Sequence, residues 1–276
     1  MHIGRCRRGG DGATAELNTP STGGRASISS CKPLSLRHIA ANRKRKGKLM
    51  VQPTGIHHIA IMTGDMKRQI AFFSDVLGTP LVAIFDMHGV PGGIHAFLKL
   101  DSGCYFSLVQ LPATAETPMT LGITHAGTGA GNSAPGTMQH LAFHVENEER
   151  LLAMRDRIRK KGVNVIGPLN HGMCKSIYFA GPEQLTLEVA CPGMPVTADR
   201  WIDPAILAKV GINADEASTF ANPDRYDGEG GAVKQPDYDP AKPHMAYPED
   251  RYKMMLAMPD DILASMADHS EPPVPA

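Results

Sequence analysis

A four-residue pattern occurs twice in this chain, as His58-Ile59-Ala60-Ile61 and as His140-Leu141-Ala142-Phe143. The same order of elements is legible after each copy. In the first, Ile56–Met62 reads as a strand and Thr63-Gly64-Asp65 as a turn able to cap a helix. Met66–Leu77 then places Met66, Ile70, Phe73 and Leu77 at helical spacing, and Gly78 can end the helix. Short strands follow around Leu81–Phe85, Ile94–Leu100 and Tyr105–Leu111. In the second copy Met138–Val145 reads as a strand. Glu148–Lys161 reads as a helix with Leu151, Met154 and Ile158 on one stripe, closed by Gly162. Strands follow near Val163–Ile166, Ser176–Phe179 and Gln184–Ala190. The spacing from His58 to Gly78 is 20 residues and from His140 to Gly162 it is 22. One such module alone leaves a sheet face bare, so the two are expected to pair. The expected fold class is α+β: two βαβββ modules, 55–111 and 137–191, paired into a cup-shaped mixed sheet with helices outside, plus irregular termini. Residues 112–136, rich in Gly, Thr, Ala and Pro, form the linker.

The flanks differ in composition. The formal net charge of zero hides an asymmetry: residues 1–49 hold 11 Lys/Arg against 2 Asp/Glu, and the remainder is acidic by the same margin. Residues 1–49 are expected to be a disordered basic extension, because they lack apolar periodicity and bury too little surface to offset ordering entropy. Met50 directly precedes the first strand. The folded domain is expected over 50–195. Residues 196–276 are read as an irregular tail with short helices at Pro204–Val210 and Tyr252–Met266. A mildly acidic folded part gives no reason to expect nucleic-acid binding, and no apolar run is long enough for a membrane span. Five cysteines without a CxxC pair point to reduced thiols and a cytoplasmic setting.

Strand alternation sorts the chemistry. His58 shares a face with Ile56, Ala60 and Met62. His140 shares one with Ala142 and His144, and Glu188 shares one with Gln184, Thr186 and Ala190. The opposite face of each strand is apolar and suited to packing on helices. A lone strand histidine is ordinarily a hydrogen-bonded core or surface residue; two at equivalent positions of a repeat reverse that preference. A buried Glu188 needs a counter-charge or a metal, since an unpaired buried carboxylate costs several kcal/mol. Two neutral imidazoles and a carboxylate form the facial triad that suits non-haem Fe(II).

The paired His-apolar-Ala-apolar strands, the segment Phe72-Phe73-Ser74-Asp75-Val76-Leu77-Gly78 and the terminal Leu187-Glu188-Val189 resemble the vicinal-oxygen-chelate superfamily. That superfamily includes glyoxalase I, epimerases, fosfomycin-resistance proteins and type I extradiol dioxygenases. The resemblance covers about 55–192 and implies metal ligands at His58, His140 and Glu188. Aligning Phe106-Ser107-Leu108 with Leu187-Glu188-Val189 puts Ser107 where glyoxalase-like members often carry a fourth ligand. The stretch from His171 through Ile177-Tyr178 and Pro182 to Glu188 resembles extradiol dioxygenases and implies that His171 and Tyr178 donate hydrogen bonds to substrate and bound oxygen. Lys99 stands where that family has its acid/base histidine, and His95 on the same strand face is the substitute.

The resulting expectation is an Fe(II)-dependent extradiol-type dioxygenase acting on a small aromatic diol or similar chelating substrate, with O2 as co-substrate. Mn, Zn, Ni and Co are the alternative metals, and a homodimer is the candidate assembly. The rival enzyme is a glyoxalase- or epimerase-like metal lyase or isomerase. The non-enzymatic rival is a metal-free binding module of the bleomycin-resistance kind.

Overall fold

The computed structural model describes residues 51–275 apart from 227, 229 and 232. They fall within one compact unit, Leu49–Ala276. The expected basic extension, 1–49, lies outside the described residues.

Module one runs β1 (His58–Met62), α1 (Met66–Phe72), β2 (Leu81–Asp86), β3 (Ile94–Asp101) and β4 (Cys104–Gln110). Asp65 caps α1 by accepting from the Arg68 N–H at 3.0 Å. The helix does not run unbroken to Leu77, because Phe73–Leu77 forms a π turn. The Phe73 carbonyl accepts from the Gly78 N–H, from the Thr79 N–H and from the Thr79 hydroxyl. Gly78 then turns left-handed at φ 80°, which glycine adopts without steric cost.

Module two runs β5 (Leu141–His144), α2 (Glu148–Lys160), β6 (Ile166–Asn170), β7 (Cys174–Ala180) and β8 (Thr186–Pro192). Asn147 caps α2 through the Arg150 N–H at 3.0 Å. Glu148 and Glu149 occupy its first turn and Arg157, Arg159 and Lys160 its last, charges that oppose the helix dipole at each end.

Each module forms a four-stranded mixed sheet, ordered β1-β4-β3-β2 and β5-β8-β7-β6. The first strand lies parallel to the last, and the other pairs are antiparallel. The registers match between modules. Ala60 pairs with Ser107 as Ala142 pairs with Glu188, and Phe97 lies beside Ser107 as Tyr178 lies beside Glu188. Ser107 is therefore the counterpart of Glu188.

One apolar core serves both modules. It holds Phe73, Leu98, Phe106 and Leu108 with Leu151, Ile158, Ile177 and Leu187, all fully buried. The Phe73 ring lies 4.2 Å from Phe106 in its own module and 6.2 Å from Phe143 in the other, centroid to centroid. Polar clasps reinforce the joint. The Arg157 guanidinium donates to the Val76 and Asp75 carbonyls. Glu183 accepts from the Gly64 N–H and from the Gln69 side-chain amide, each at 2.7 Å. Glu183 holds this position at φ 53°, a left-handed conformation unfavourable for a residue with a Cβ. Replacing it by Ala would leave the Gly64 N–H without an acceptor and the buried Gln69 amide with only the Pro182 carbonyl, at 3.5 Å. We expect Glu183→Ala to cost about 2 kcal/mol in a urea-unfolding experiment; a change within error of zero would show that the clasp contributes nothing.

Several elements depart from the expected boundaries. The strand expected at Val163–Ile166 lies at Ile166–Asn170, with a register shift between Ile166 and Leu169, where Pro168 has no N–H for the ladder. Gln184 is not part of the last strand; it belongs to a short turn, Pro182–Gln184. Pairing of β5 starts at Leu141, so His140 stands just before the strand. Among its described residues the tail holds five short helices, α3 (Ala198–Trp201), α4 (Pro204–Lys209), α5 (Ala214–Ala221), α6 (Glu249–Ala257) and α7 (Asp260–Met266). Pro259 separates the last two, where one helical patch was expected. Among the described residues, no helix is long and apolar enough to cross a membrane.

Candidate metal and substrate site

The two modules each gather a cluster from the sequence-selected residues. In module two the last strand brings Glu188 beside His140 and Tyr178. Glu188 is 4% exposed, on a strand whose two faces are both covered. Its Oε2 lies 2.9 Å from His140 Nε2. The other imidazole nitrogen of His140 meets the Gln139 side-chain oxygen. The orientation of that amide is dictated by its surroundings: Gln139 Nε2 donates to the Thr128 and Gly131 carbonyls at 3.1 and 3.2 Å. Carbonyls only accept, so Gln139 Oε1 is left to accept from His140 Nδ1–H. His140 Nε2 and the Glu188 carboxylate then face each other with lone pairs, and a proton or a cation must lie between them.

Tyr178, across the strand pair from Glu188, places its hydroxyl 3.1 Å from His171 Nε2. Its ring lies 6.2 Å from that of His140. Burial, and after it the negative charge of Glu188, pushes the phenol above its ordinary value, so at neutral pH it keeps its proton and can donate. His171, Tyr178, His140 and Glu188 thus form one continuous polar cluster.

In module one His58 lies in an aromatic cluster with its ring 5.5 Å from Phe97 and 6.4 Å from His95. His58 Nδ1 contacts His57 Nδ1 at 2.9 Å. His95 Nε2 is 2.6 Å from the hydroxyl of the fully buried Ser107. Lys99 is exposed at the far end of β3, so His95 is the titratable group of this strand that faces the cluster. Burial first, then the positive charge of His58 and His88, lowers the His95 ionisation below the ordinary histidine value of 6.5. The ring is therefore neutral and proton-accepting at pH 7. We expect its imidazole signals in an NMR titration to have a midpoint below 6.5, moving upward in His88→Ala. A midpoint at or above 6.5 would contradict this environment.

His58 does not join the His140–Glu188 pair. Among the described residues no three His, Cys, Asp or Glu side chains converge as a metal site requires. The donor chemistry of module two fits a divalent cation, with two lone-pair donors opposed; the third expected ligand is held in the other cluster. A groove of about 640 Å3 opens between β1 and β5, lined on the core side by Ile59, Leu141 and Phe143, and neither His140 nor Glu188 lines it.

Sequence reasoning missed Gln139 and Glu183. The first lies before the start of β5 and carries no periodic signal. The second was in view within Gly181-Pro182-Glu183, but the left-handed backbone that aims it at the other module has no signature in a non-glycine residue. His88 stacks on His269 of the tail at 3.9 Å and on Phe85 at 5.4 Å, and His125 meets the Thr124 hydroxyl at 2.9 Å.

Residues 55–189 match the family model described as Glyoxalase/Bleomycin resistance protein/Dioxygenase superfamily. No protein of curated function matches the chain at a significant level. Among solved structures, a glyoxylase/bleomycin resistance protein/dioxygenase domain from Frankia sp. EAN1pec is similar at 14% identity and a TM-score of 0.40, covering 51% of this chain and 99% of that one. The fosfomycin resistance protein FosX from Listeria monocytogenes is similar at 17% identity and a TM-score of 0.35, covering 52% and 97%. TnmS3, an antibiotic binding protein from Streptomyces sp. CB03234, is similar at 17% identity and a TM-score of 0.37, covering 51% and 98%. With its family-model match and its paired βαβββ modules, the region 55–189 of this chain belongs to the glyoxalase/bleomycin resistance/dioxygenase superfamily.

Proposed function

We propose that this domain is a metal-dependent oxidoreductase of the extradiol dioxygenase type, binding Fe(II) through His140, Glu188 and His58. The observation that carries the reading is the His140 Nε2–Glu188 Oε2 pair, 2.9 Å apart, whose facing lone pairs share a proton that a metal ion can replace. Iron bound there would act as a Lewis acid toward a substrate chelating through vicinal oxygens. Ser107 in place of a fourth ligand leaves coordination positions for such a substrate and for O2. The Tyr178 phenol, held protonated and paired with His171, would donate to a substrate oxygen. His95, neutral and tied to Ser107, would accept the substrate proton.

His58 stands apart from the pair within one chain, and His58 and His140 are both exposed. The reading therefore includes a second copy: module one of one chain supplies His58, His95 and Ser107 to the His140–Glu188 half-site of the other. A homodimer with two composite sites follows.

The test is anaerobic purification, metal analysis and an O2-uptake screen over a catechol panel. The expected result is about one iron per chain and O2 consumption with at least one catechol. Turnover with zinc or nickel and no O2 uptake would replace this reading with the lyase or isomerase one. Metal-free protein that still binds small aromatic ligands would replace it with the binding-module one.

A further inference from the structure

The linker between the modules crosses module two on the side of its polar cluster. A Cβ built on Gly129 would meet the Tyr178 ring at 3.6 and 3.7 Å, so the linker backbone passes beside that ring, about one carbon beyond contact. The segment Ala126–Gly131 is a tight turn. The Gly131 N–H donates to the Thr128 carbonyl at 3.0 Å, and a Cβ on Gly131 would fall 1.9 Å from the Ala126 carbonyl oxygen. Only glycine fits there. One side chain outside the turn holds two of its carbonyls: the Gln139 amide donates to Thr128 and to Gly131. The oxygen of the same amide accepts from His140 Nδ1–H.

We propose that Gln139 is a positioning residue that ties the linker turn Ala126–Gly131 to the His140 imidazole and thereby fixes Nε2 as the nitrogen offered to the metal. This rests on the metal reading above. The three hydrogen bonds use one planar amide, so they are geometrically coupled. A shift of the turn rotates the amide, and a rotated amide no longer meets Nδ1–H. The turn also runs beside Tyr178, so a ring-shaped ligand seated on Tyr178 would meet the same backbone that orients the metal ligand. Gln139 thus links the placement of the linker turn beside Tyr178 to metal affinity.

Two variants separate the two ends of the amide. Gln139→Ala removes both ends. Gln139→Glu keeps an acceptor for His140 Nδ1–H and replaces the donors to the turn by an oxygen that repels its carbonyls. Co(II) is the metal probe, followed by competition titration and its visible spectrum; hydrogen exchange of the Ala130 and Gly131 amides reads the turn. Gln139→Ala should weaken Co(II) binding by roughly 10- to 100-fold, the range for loss of a partner to a ligating histidine, and speed exchange in the turn. Gln139→Glu should speed exchange equally without weakening Co(II). Unchanged Co(II) affinity in Gln139→Ala, or unchanged exchange in both variants, would overturn the proposal. Wild-type protein that binds no Co(II) would sink the metal reading instead, while exchange in the turn would still report the clasp.

Discussion

Glu188→Gln is expected to abolish metal binding at the proposed His140–Glu188 site. The substitution preserves shape and leaves an amide oxygen able to accept, so the strand pairing with Ala142 and Tyr178 can persist. What it removes is the negative charge opposite His140 Nε2. A neutral amide is a poor ligand for a divalent cation, and its N–H2 can simply donate to the imidazole lone pair, satisfying both groups without a metal. The loss should exceed the roughly 100-fold that removal of an outer partner costs, read as metal retained after gel filtration. Tyr178 supplies a second readout on the same variant. Glu188 raises the phenol ionisation, second only to burial, so the alkaline absorbance titration of Tyr178 should move to lower pH. Full metal content in Glu188→Gln would remove Glu188 from the ligand set.

The largest effect on stability is expected from Phe73→Ala. Phe73 is fully buried and lies at the joint, against Phe106 of module one and Phe143 of module two. Truncating a buried phenylalanine costs about 3–5 kcal/mol through lost transfer energy and the cavity left behind. That is a large share of the roughly 5–15 kcal/mol that holds a typical domain folded. Because the cavity would open toward both sheets, both modules should lose stability together. Urea unfolding followed by far-UV circular dichroism and by exchange of β4 and β8 amides should show one shared, lowered transition. Separate transitions, with module two unaffected, would show that the core is not shared.

Much of the fold was legible because the chain states it twice. The repeated His-apolar-Ala-apolar strand and the helix closed by Gly78 or Gly162 set the order of elements. Alternation along the strands placed Leu187 and Val189 inward and Glu188 on the other face. What escaped prediction has local physical causes. Pro168 displaces β6 from the run of apolar residues before it. Glu183 and Gln184 adopt left-handed angles that propensity assigns to glycine or asparagine. The helix Ala214–Ala221 was readable, since Asn213 and Glu216 form a capping box, but its apolar content is too slight to stand out.

The candidate residues could be picked out singly from the sequence, but not their grouping in space. His140, Glu188, Tyr178 and His171 come together through β7, β8 and the turn before them. His58 and His95 come together through β1, β3 and β4. Equivalence of His58 and His140 in a repeat says that they occupy matching positions in two modules; it does not say that the two modules of one chain face each other. Gln139 shows the same limit at shorter range, because its partners are linker carbonyls eight and eleven residues upstream.

In the proposed composite site His58 of one chain completes the His140–Glu188 pair of another, and a mixing experiment tests this most directly. His58→Ala and Glu188→Ala are each purified, unfolded, combined and refolded, and the iron content is measured. Each variant alone should hold no iron. In a mixed dimer one site receives both intact halves, His58 from the Glu188→Ala chain and His140 with Glu188 from the His58→Ala chain, so the mixture should regain iron. A mixture as empty as its components, or His58→Ala protein that holds its metal unaided, would contradict the composite site.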